Sequence, residues 1–360
     1  MKVLQSLQHQ VYIGNGSISL LKDLTQQYDT EQIIVITDEN TFRHSYQLLV
    51  SQIPSKERRI RNAIIIPTSE KHKNLTAATK VWEQLLLHKI NRNGLIINLG
   101  GGVVGDIGGF CASVWKRGTD FIQIPTSLLA MIDASCGGKT GINLDGIKNQ
   151  IGTFTSPVAV IADPVFLKTL PHREFLSGIA EMLKHAIISD DKSHFQQLSE
   201  IEKPTIENIT PLIEQSIIIK NNIVLKDPYE KNIRKILNFG HTVGHAIETW
   251  SQTTKYPLLH GEAIALGIIC ELQLAHKKQL ISETTTLRYV SFIKKFFHHL
   301  TAELPPADVL FDIMQHDKKI TSEAISFVLP LENGRFDLDV RVGVEDVQSE
   351  VKMGNLFSSP

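Results

Sequence analysis

The first half of the chain alternates short runs of branched apolar residues with longer helical stretches, and this alternation restricts the possible fold more than any other feature. Continuous Ile- and Val-rich runs are typical of strands that are buried on both faces of a parallel sheet. Segments of helical periodicity, such as residues 75–88, lie between them. The pattern predicts an α/β layer fold. The predicted strands are residues 32–37, 63–66, 95–99, 120–124 and 158–162.

The second half, after Pro171, is dominated by helical patterns. One late exception is residues 324–340, where Glu332-Asn333-Gly334 predicts a turn between two strands. We therefore predict two domains, an α/β domain at residues 1–171 and a mostly α-helical domain at residues 172–360. The predicted helices of the second domain are residues 173–189, 206–225, 236–250, 261–277 and 284–298.

Composition excludes several classes of function. Lys and Arg number 37 against 38 Asp and Glu, so no excess of charge favours nucleic acid or a membrane surface as a partner. No apolar run has membrane-spanning length, and the first residues show no signal-peptide pattern. The three cysteines are scattered and lack metal-ligand spacing, as expected in a reducing compartment. We expect a cytoplasmic protein.

Three histidines form the first candidate site. His241 and His245 are four residues apart and share one face of a predicted helix, and His260 follows on another segment. Imidazole is a common ligand of zinc and related divalent ions. Thr242 stands where the metalloprotease motif His-Glu-x-x-His has its general base, so that chemistry is not indicated. The spacing alone is compatible with a metal site and also with ordinary core or surface histidines.

Two glycine-rich stretches are candidate phosphate-binding elements. The sequence GGGVVGD at 100–106 follows a predicted strand, where glycines allow close approach of a pyrophosphate, although the spacing differs from G-x-G-x-x-G. The sequence DASCGGKTG at 133–141, followed by Lys148 and Asn149, combines lysines with glycines but lacks the Walker spacing. A tight turn that binds nothing and a solvated loop are the structural alternatives.

A third candidate is the pair Glu181 and Lys184 within SGIAEMLK at 177–184. The two residues are three apart and project together from a predicted helix. They are either an exposed ion pair of under about 1 kcal/mol or a metal-binding carboxylate with a neighbouring cation for the substrate.

Taken together and in this order, the motifs resemble the 3-dehydroquinate synthase family. The resemblance extends from about Gln10 to the hairpin near Val340. It rests on Ser69-Glu70, GGGVVGD (100–106), KRG (116–118), PTSLLAMIDASCGGKTGIN (125–143), KNQIGTF (148–154), LKTLP (167–171), SGIAEMLKHAII (177–188), RKILNFGHTVGHAIE (234–248), LHGEAIALG (259–267) and HDKK (316–319).

The resemblance implies an N-terminal Rossmann-like, NAD-binding domain and a C-terminal domain that binds metal and substrate. By position, one divalent ion, zinc or cobalt, would be bound by Glu181, His241 and His260. The implied catalytic residues are Asp133, Lys139, Lys184, Lys220, Arg234, Asn238 and His245. The implied further substrate-binding residues are Arg117, Asn149 and Lys318, with Lys319 as the alternative to Lys318. The implied NAD-binding residues are Thr68, Ser69, Glu70, Lys71, His72, Lys73, Gly102, Val103, Val104, Gly105, Asp106, Thr126, Ser127, Lys139, Lys148, Phe166, Leu167, Lys168 and Thr169.

The implied reaction converts the sugar acid phosphate 3-deoxy-D-arabino-heptulosonate 7-phosphate to 3-dehydroquinate and phosphate, with NAD reduced and reoxidised in each turnover. Arg117 matches a position that reaches the neighbouring subunit's site, so a homodimer is expected.

Another sugar phosphate cyclase, such as an inosose or valiolone synthase, is the first alternative activity, but such an enzyme would not need contacts to a substrate carboxylate. The others are a metal-dependent polyol or alcohol dehydrogenase, which would release NADH, and an inactive NAD- or metal-binding module.

Overall fold

A computed structural model describes residues 1–53, 63–145, 147–298, 300, 304–318, 324–343 and 346. The chain forms two compact units, unit 1 at Met1–Phe175 and unit 2 at Leu176–Pro360.

Unit 1 is built on a mostly parallel sheet. Its strands are β1 (Lys2–Gln5), β2 (Gln10–Ile13), β3 (Ile33–Asp38), β4 (Ala63–Ile66), β5 (Leu95–Gly100), β6 (Asp120–Pro125), β7 (Lys139–Leu144), β8 (Ile147–Phe154) and β9 (Ala159–Ala162). Its helices are α1 (Leu21–Thr25), α2 (Glu39–Ser51), α3 (Leu75–Leu87) and α4 (Gly102–Val114), and α5 (His172–Ile188) begins within it. Among the described residues, seven strands pair in the order β1-β2-β9-β6-β5-β3-β4, and only β1 is antiparallel to its neighbour.

The predicted α/β, Rossmann-like organisation of this half is confirmed. Each predicted strand is present, and β3, β5 and β6 are buried almost throughout, as expected for strands covered on both faces. Helix α4 lies directly on the sheet. At Gly108 of this helix, an added Cβ atom would lie 2.0 Å from Oδ1 of Asn98 on β5. The stretch after Asp133 is neither a phosphate-binding loop of the Walker type nor a solvated loop. It leads into the antiparallel hairpin of β7 and β8.

Unit 2 is mostly helical, as predicted. Its remaining helices are α6 (Ser193–Ser199), α7 (Ile206–Lys226), α8 (His241–Ser251), α9 (His260–Lys277), α10 (Glu283–Phe297) and α11 (Ala307–Lys318), and its strands are β10 (Ala324–Pro330) and β11 (Phe336–Gly343). Strands β10 and β11 pair antiparallel across the predicted turn. No helix in the described part of the chain has the length and apolar composition needed to cross a membrane.

The prediction that one helix covers residues 236–250 was wrong about where that helix begins. Residues Ile233–Asn238 form a 3₁₀ helix, and Gly240 adopts a left-handed conformation with φ of 80°. This conformation suits glycine and interrupts the helical path. Helix α8 therefore begins at His241, with His245 one turn later.

Candidate active site

A buried ion pair on α5 is the centre of the candidate site in unit 2. Glu181 Oε2 lies 2.5 Å from Lys184 Nζ, and the two side chains are 0% and 1% exposed. Lys184 Nζ also donates to the backbone carbonyl of Leu237 at 2.9 Å. The interpretation of this pair as an exposed one was wrong, because α5 is covered on all sides and every residue from Phe175 to Ser189 is buried. A buried carboxylate and ammonium are retained at a considerable desolvation cost.

The second oxygen of Glu181 faces two imidazoles. Glu181 Oε1 lies 3.4 Å from His241 Nε2 and 3.5 Å from His260 Nε2. The two oxygens of the carboxylate thus have separate environments, one beside a lysine and one between two histidines. Three helices supply these groups, with Glu181 on α5, His241 at the start of α8 and His260 at the start of α9.

The other nitrogen of each imidazole is held by a protein acceptor. His241 Nδ1 lies 3.1 Å from the carbonyl oxygen of Phe239, and His260 Nδ1 lies 3.0 Å from Glu248 Oε2. With Nδ1 donating to these acceptors, Nε2 is the nitrogen of each ring that faces Glu181, and it carries the lone pair when the imidazole is neutral. Histidines that bind metals are commonly oriented in this way. Glu248 has no role in the sequence prediction, and its position two turns after His241 on the same helix face was the available signal.

The two histidines differ in their electrostatic environment. Burial and the nearby Lys184 cation lower the pKa of His241 well below its ordinary value, so its imidazole is neutral at pH 7. Burial also lowers the pKa of His260, but hydrogen bonds to Glu181 and Glu248 outweigh this effect and raise it to about 9. The surroundings of His260 therefore favour positive charge between these two carboxylates.

His245 completes a cluster of three imidazoles. Ligand atoms of His241, His245 and His260 all lie within 4.8 Å of one another. The ring centroid of His245 is 5.1 Å from that of His241 and 5.7 Å from that of His260. His245 is therefore close enough to the other two histidines to serve as an alternative ligand.

Close backbone packing fixes the helices that carry these histidines. The backbone N–H of Gly240 donates to Glu271 Oε2 at 2.6 Å, so a buried carboxylate binds the start of α8. A Cβ atom at Gly261 would lie 1.9 Å from the carbonyl oxygen of Ser177, and the N–H of Gly261 donates to Ser177 Oγ at 2.9 Å. The start of α9 is therefore held against α5, close in sequence to His260.

The donor set fits a divalent metal. One carboxylate oxygen and two imidazole nitrogens are a common ligand combination for zinc and suit cobalt. Two ligands that are each about 2.1 Å from a tetrahedral ion lie about 3.4 Å apart. The observed separations of 3.4 and 3.5 Å from Glu181 Oε1 agree with this value.

Further predicted site residues of unit 2 lie on α7, in the 3₁₀ helix at Ile233–Asn238 and at the end of α11. Lys220 is buried on α7, which packs against the 3₁₀ helix at Ile233–Asn238. Within that helix, buried Arg234 donates from Nη1 to the carbonyl oxygen of Pro228 at 2.6 Å, and Asn238 Nδ2 donates to Glu230 Oε1 at 2.8 Å. The side chain of Lys318 and all of Lys319 lie outside the described residues.

In unit 1, three predicted site residues meet at one ammonium group. Lys73 is 3% exposed, and its Nζ lies 2.5 Å from Asp106 Oδ2 and 2.5 Å from Asn149 Oδ1. Asn143, which was not predicted, links them further, because its N–H donates to Lys73 O at 2.7 Å and its Oδ1 accepts from the N–H of Asn149 at 2.9 Å. The predicted NAD-binding residue Lys73 therefore contacts both another predicted NAD-binding residue, Asp106, and a predicted substrate-binding residue, Asn149.

The other predicted residues of unit 1 are distributed over the strand ends and the hairpin. Gly102, Val103, Val104 and Gly105 form the first turn of α4, so the helix begins within the glycine-rich motif. Thr126 and Ser127 follow β6, and Asp133 lies in a short π-helix at Ala130–Ala134. The other positions are Thr68 to His72 before α3, Arg117 after α4, Lys139 on β7, Lys148 on β8, and Phe166, Leu167, Lys168 and Thr169 in a 3₁₀ helix.

The whole chain has the fold of the sugar phosphate cyclases. It is similar to a structure of 2-deoxy-scyllo-inosose synthase in complex with carbaglucose-6-phosphate, NAD⁺ and Co²⁺, with a TM-score of 0.85, 24% identity, and coverage of 98% of this chain and 100% of that one. It is also similar to 2-epi-5-epi-valiolone synthase from Streptomyces hygroscopicus with NAD⁺ and Zn²⁺, with a TM-score of 0.81, 22% identity and coverage of 98% of each chain.

Sequence comparison then gives the family. Patterns for the 3-dehydroquinate synthase N-terminal and C-terminal regions match residues 63–177 and 178–320. The 3-dehydroquinate synthase of Parabacteroides distasonis is 37% identical over 323 residues, 89% of this chain and 91% of that protein. That of Alkaliphilus metalliredigens is 40% identical over 330 residues, 90% of each. The chain belongs to the 3-dehydroquinate synthase family.

Proposed function

We propose that this protein converts 3-deoxy-D-arabino-heptulosonate 7-phosphate to 3-dehydroquinate and phosphate, as a phosphate lyase that depends on NAD and one divalent metal. The observation that carries the proposal is the convergence of His241 and His260 on one oxygen of the buried Glu181 in a chain of this family. The reaction comprises oxidation at C5, elimination of phosphate, reduction, ring opening and an intramolecular aldol closure.

The metal would be held by Glu181 through Oε1 and by His241 and His260 through Nε2. When bound, it supplies Lewis acidity that polarises a substrate hydroxyl. Lys184 holds Glu181 in place, since its ammonium group lies 2.5 Å from the other oxygen of the carboxylate. The neutral state of His241 keeps its Nε2 lone pair available.

The cofactor would be bound in unit 1, where the first turn of α4 offers backbone N–H groups to a pyrophosphate. NAD supplies hydride transfer. Lys73 orients Asp106 for this role because its buried ammonium holds the carboxylate at 2.5 Å. Thr126, Ser127, Lys139 and Lys148 add hydroxyl and ammonium donors.

The substrate carries a carboxylate and a phosphate, so its binding needs several cationic and amide groups. Arg234 is proposed to bind the carboxylate, with Lys220 and Asn238 as neighbours. Lys139, Asn149, His245 and Lys318 are proposed to bind the phosphate, and Asp133 a hydroxyl. The departing phosphate itself would accept the proton in the elimination, so these residues act mainly by orientation and charge. Arg117 is proposed to serve the site of a second copy, in a homodimer.

The test is an assay with purified protein, catalytic NAD and zinc or cobalt. We expect phosphate release from the heptulosonate phosphate without net accumulation of NADH, because the oxidation and reduction cancel. Glucose 6-phosphate and sedoheptulose 7-phosphate, which lack the carboxylate, are the comparison substrates. Release of phosphate only from these would assign another cyclase activity, and stoichiometric NADH would assign a dehydrogenase. Replacement His260→Ala should abolish metal-dependent release, and full activity with unchanged metal content would contradict the metal assignment.

A further inference from the structure

Glu248 is positioned to control the orientation of one proposed metal ligand. It is buried on α8, on the same helix face as His241 and His245. Its Oε2 lies 3.0 Å from His260 Nδ1, so α8 supplies two histidines of the cluster and contacts the third, which belongs to α9. His260 Nε2, on the opposite side of the ring, faces Glu181 Oε1 at 3.5 Å.

The surrounding hydrogen bonds hold Glu248 in place relative to His260. Ser251 Oγ donates to the backbone carbonyl of Glu248 at 2.7 Å and accepts from the N–H of Leu258 at 3.1 Å. This serine therefore ties the end of α8 to the segment that leads into α9. The contact between Glu248 and His260 thus rests on a fixed backbone arrangement.

The chemistry of a carboxylate makes this contact selective for one imidazole tautomer. An ionised carboxylate can only accept a hydrogen bond, so His260 Nδ1 must carry the proton. In the neutral imidazole, which is the form that binds a metal, Nε2 is then the nitrogen with a lone pair, and it faces Glu181. A glutamine at the same position could accept through its oxygen or donate through its amide. It would no longer require one tautomer, although its size is nearly the same.

We infer that Glu248 is a positioning residue that holds His260 with Nδ1 protonated and Nε2 directed to a divalent metal shared with Glu181 and His241. This inference rests on the proposed metal site. It assigns no contact between Glu248 and the substrate. Loss of such an outer hydrogen-bond partner commonly weakens metal binding by about 10- to 100-fold.

The experiment measures zinc affinity by competition with a chromophoric chelator and records the visible absorption spectrum of the cobalt-loaded protein. The variants are Glu248→Gln, Glu248→Asp and Glu248→Ala. The matched control is Glu262→Gln, because Glu262 is a buried carboxylate near the start of α9 that accepts from the N–H of Leu259 at 2.8 Å. Thermal midpoints of the metal-free proteins separate folding from binding.

We expect Glu248→Gln to fold normally, to bind zinc about 10- to 100-fold more weakly and to change the cobalt spectrum. Glu248→Asp should recover part of the affinity, and Glu262→Gln should keep it. Wild-type affinity and spectrum in Glu248→Gln would overturn the inference, as would an equal loss in Glu262→Gln. If Glu248→Gln does not fold, Glu248→Asp decides by the same criteria. Absence of zinc binding by the wild-type protein would instead overturn the proposed metal site, and this inference with it.

Discussion

Lys184 Nζ lies 2.5 Å from Glu181 Oε2, and neither side chain is appreciably exposed. Removal of one partner from a buried ion pair leaves the other charge without compensation. We expect Lys184→Met to lower the free energy of unfolding of the metal-free protein by about 3 kcal/mol, measured by urea denaturation at pH 7. Zinc should restore part of the loss, because a cation beside Glu181 replaces the missing ammonium.

The control for this pair is an exposed one. Lys295 Nζ lies 3.1 Å from Glu202 Oε1, and the side chain of Glu202 is 88% exposed. Replacement Glu202→Gln should change stability by less than about 1 kcal/mol. If Lys184→Met were as stable as Glu202→Gln, the buried pair would not hold Glu181 in the proposed way.

Gly261 allows the start of α9 to lie against α5. Since an added Cβ atom would lie 1.9 Å from the carbonyl oxygen of Ser177, Gly261→Ala must displace the backbone beside His260. We expect weaker zinc binding and a lower thermal midpoint. Gly343→Ala is the control, because no described atom lies within 4 Å of its Cβ position. Unchanged zinc affinity in Gly261→Ala would show that α9 accommodates the methyl group without moving His260.

Much of the fold could be predicted from the sequence, because buried parallel strands and amphipathic helices have distinct apolar patterns. Strand β5 and helix α3, predicted at residues 95–99 and 75–88, are examples. The hairpin of β7 and β8 was missed, since its glycines and lysines resemble those of a ligand-binding loop. The start of α8 was misplaced because the apolar pattern at residues 236–240 continues through the left-handed turn at Gly240.

The candidate metal ligands were predicted through family resemblance, and the structure brings Glu181, His241 and His260 together. Sequence spacing could not show that Lys184 is buried or that Glu248 holds His260, because both features depend on how α5, α8 and α9 pack. Lys73 was expected among the residues around NAD. Its contacts with both Asp106 and Asn149 arise only when α4 and the β7–β8 hairpin are folded.

Ser69 has an unfavourable backbone conformation at the edge of the proposed cofactor site. Its φ of 93° and ψ of 141° lie in a region that glycine adopts readily and residues with a Cβ atom rarely do. Replacement Ser69→Gly should relieve this strain and raise the free energy of unfolding by about 1 kcal/mol. The loss of the hydrogen bond from the backbone N–H of Lys71 to Ser69 Oγ, at 3.3 Å, will reduce this gain. Chemical denaturation of both proteins tests this, and lower stability of Ser69→Gly would show that the hydroxyl contributes more than the strain costs.

His9 should make stability depend on acid. Burial lowers the pKa of His9 to about 4, and neither ring nitrogen has a hydrogen-bond partner among the described residues. The His9 imidazole takes up a proton near pH 6.5 in the unfolded chain and near pH 4 in the folded chain. The free energy of unfolding therefore falls as pH decreases through this window, by up to about 3 kcal/mol, and this effect is absent above it.

The measurement compares His9→Leu with the wild type in urea at pH 8, 6, 5 and 4. Relative to the wild type, the variant should gain stability as pH falls. His44→Leu is the control, because His44 is exposed on α2. Parallel stability curves for His9→Leu and the wild type would contradict the prediction.

Arg234 provides a test of substrate selectivity. A guanidinium matches a carboxylate with two parallel hydrogen bonds. Replacement Arg234→Ala should cost about 2–4 kcal/mol of transition-state binding for the keto acid phosphate. Arg234→Lys should recover only part of this, because lysine keeps the charge but has no planar fork.

The structure also supplies the competing interpretation of Arg234. The residue is buried, and its guanidinium Nη1 donates to the carbonyl oxygen of Pro228 at 2.6 Å. If this side-chain contact is its main role, both variants will lose stability in proportion to their loss of activity. Values of kcat/KM and thermal midpoints for the two variants separate the interpretations. A variant that folds normally and turns over the keto acid phosphate at wild-type efficiency would exclude the carboxylate role and favour a cyclase whose substrate lacks that group.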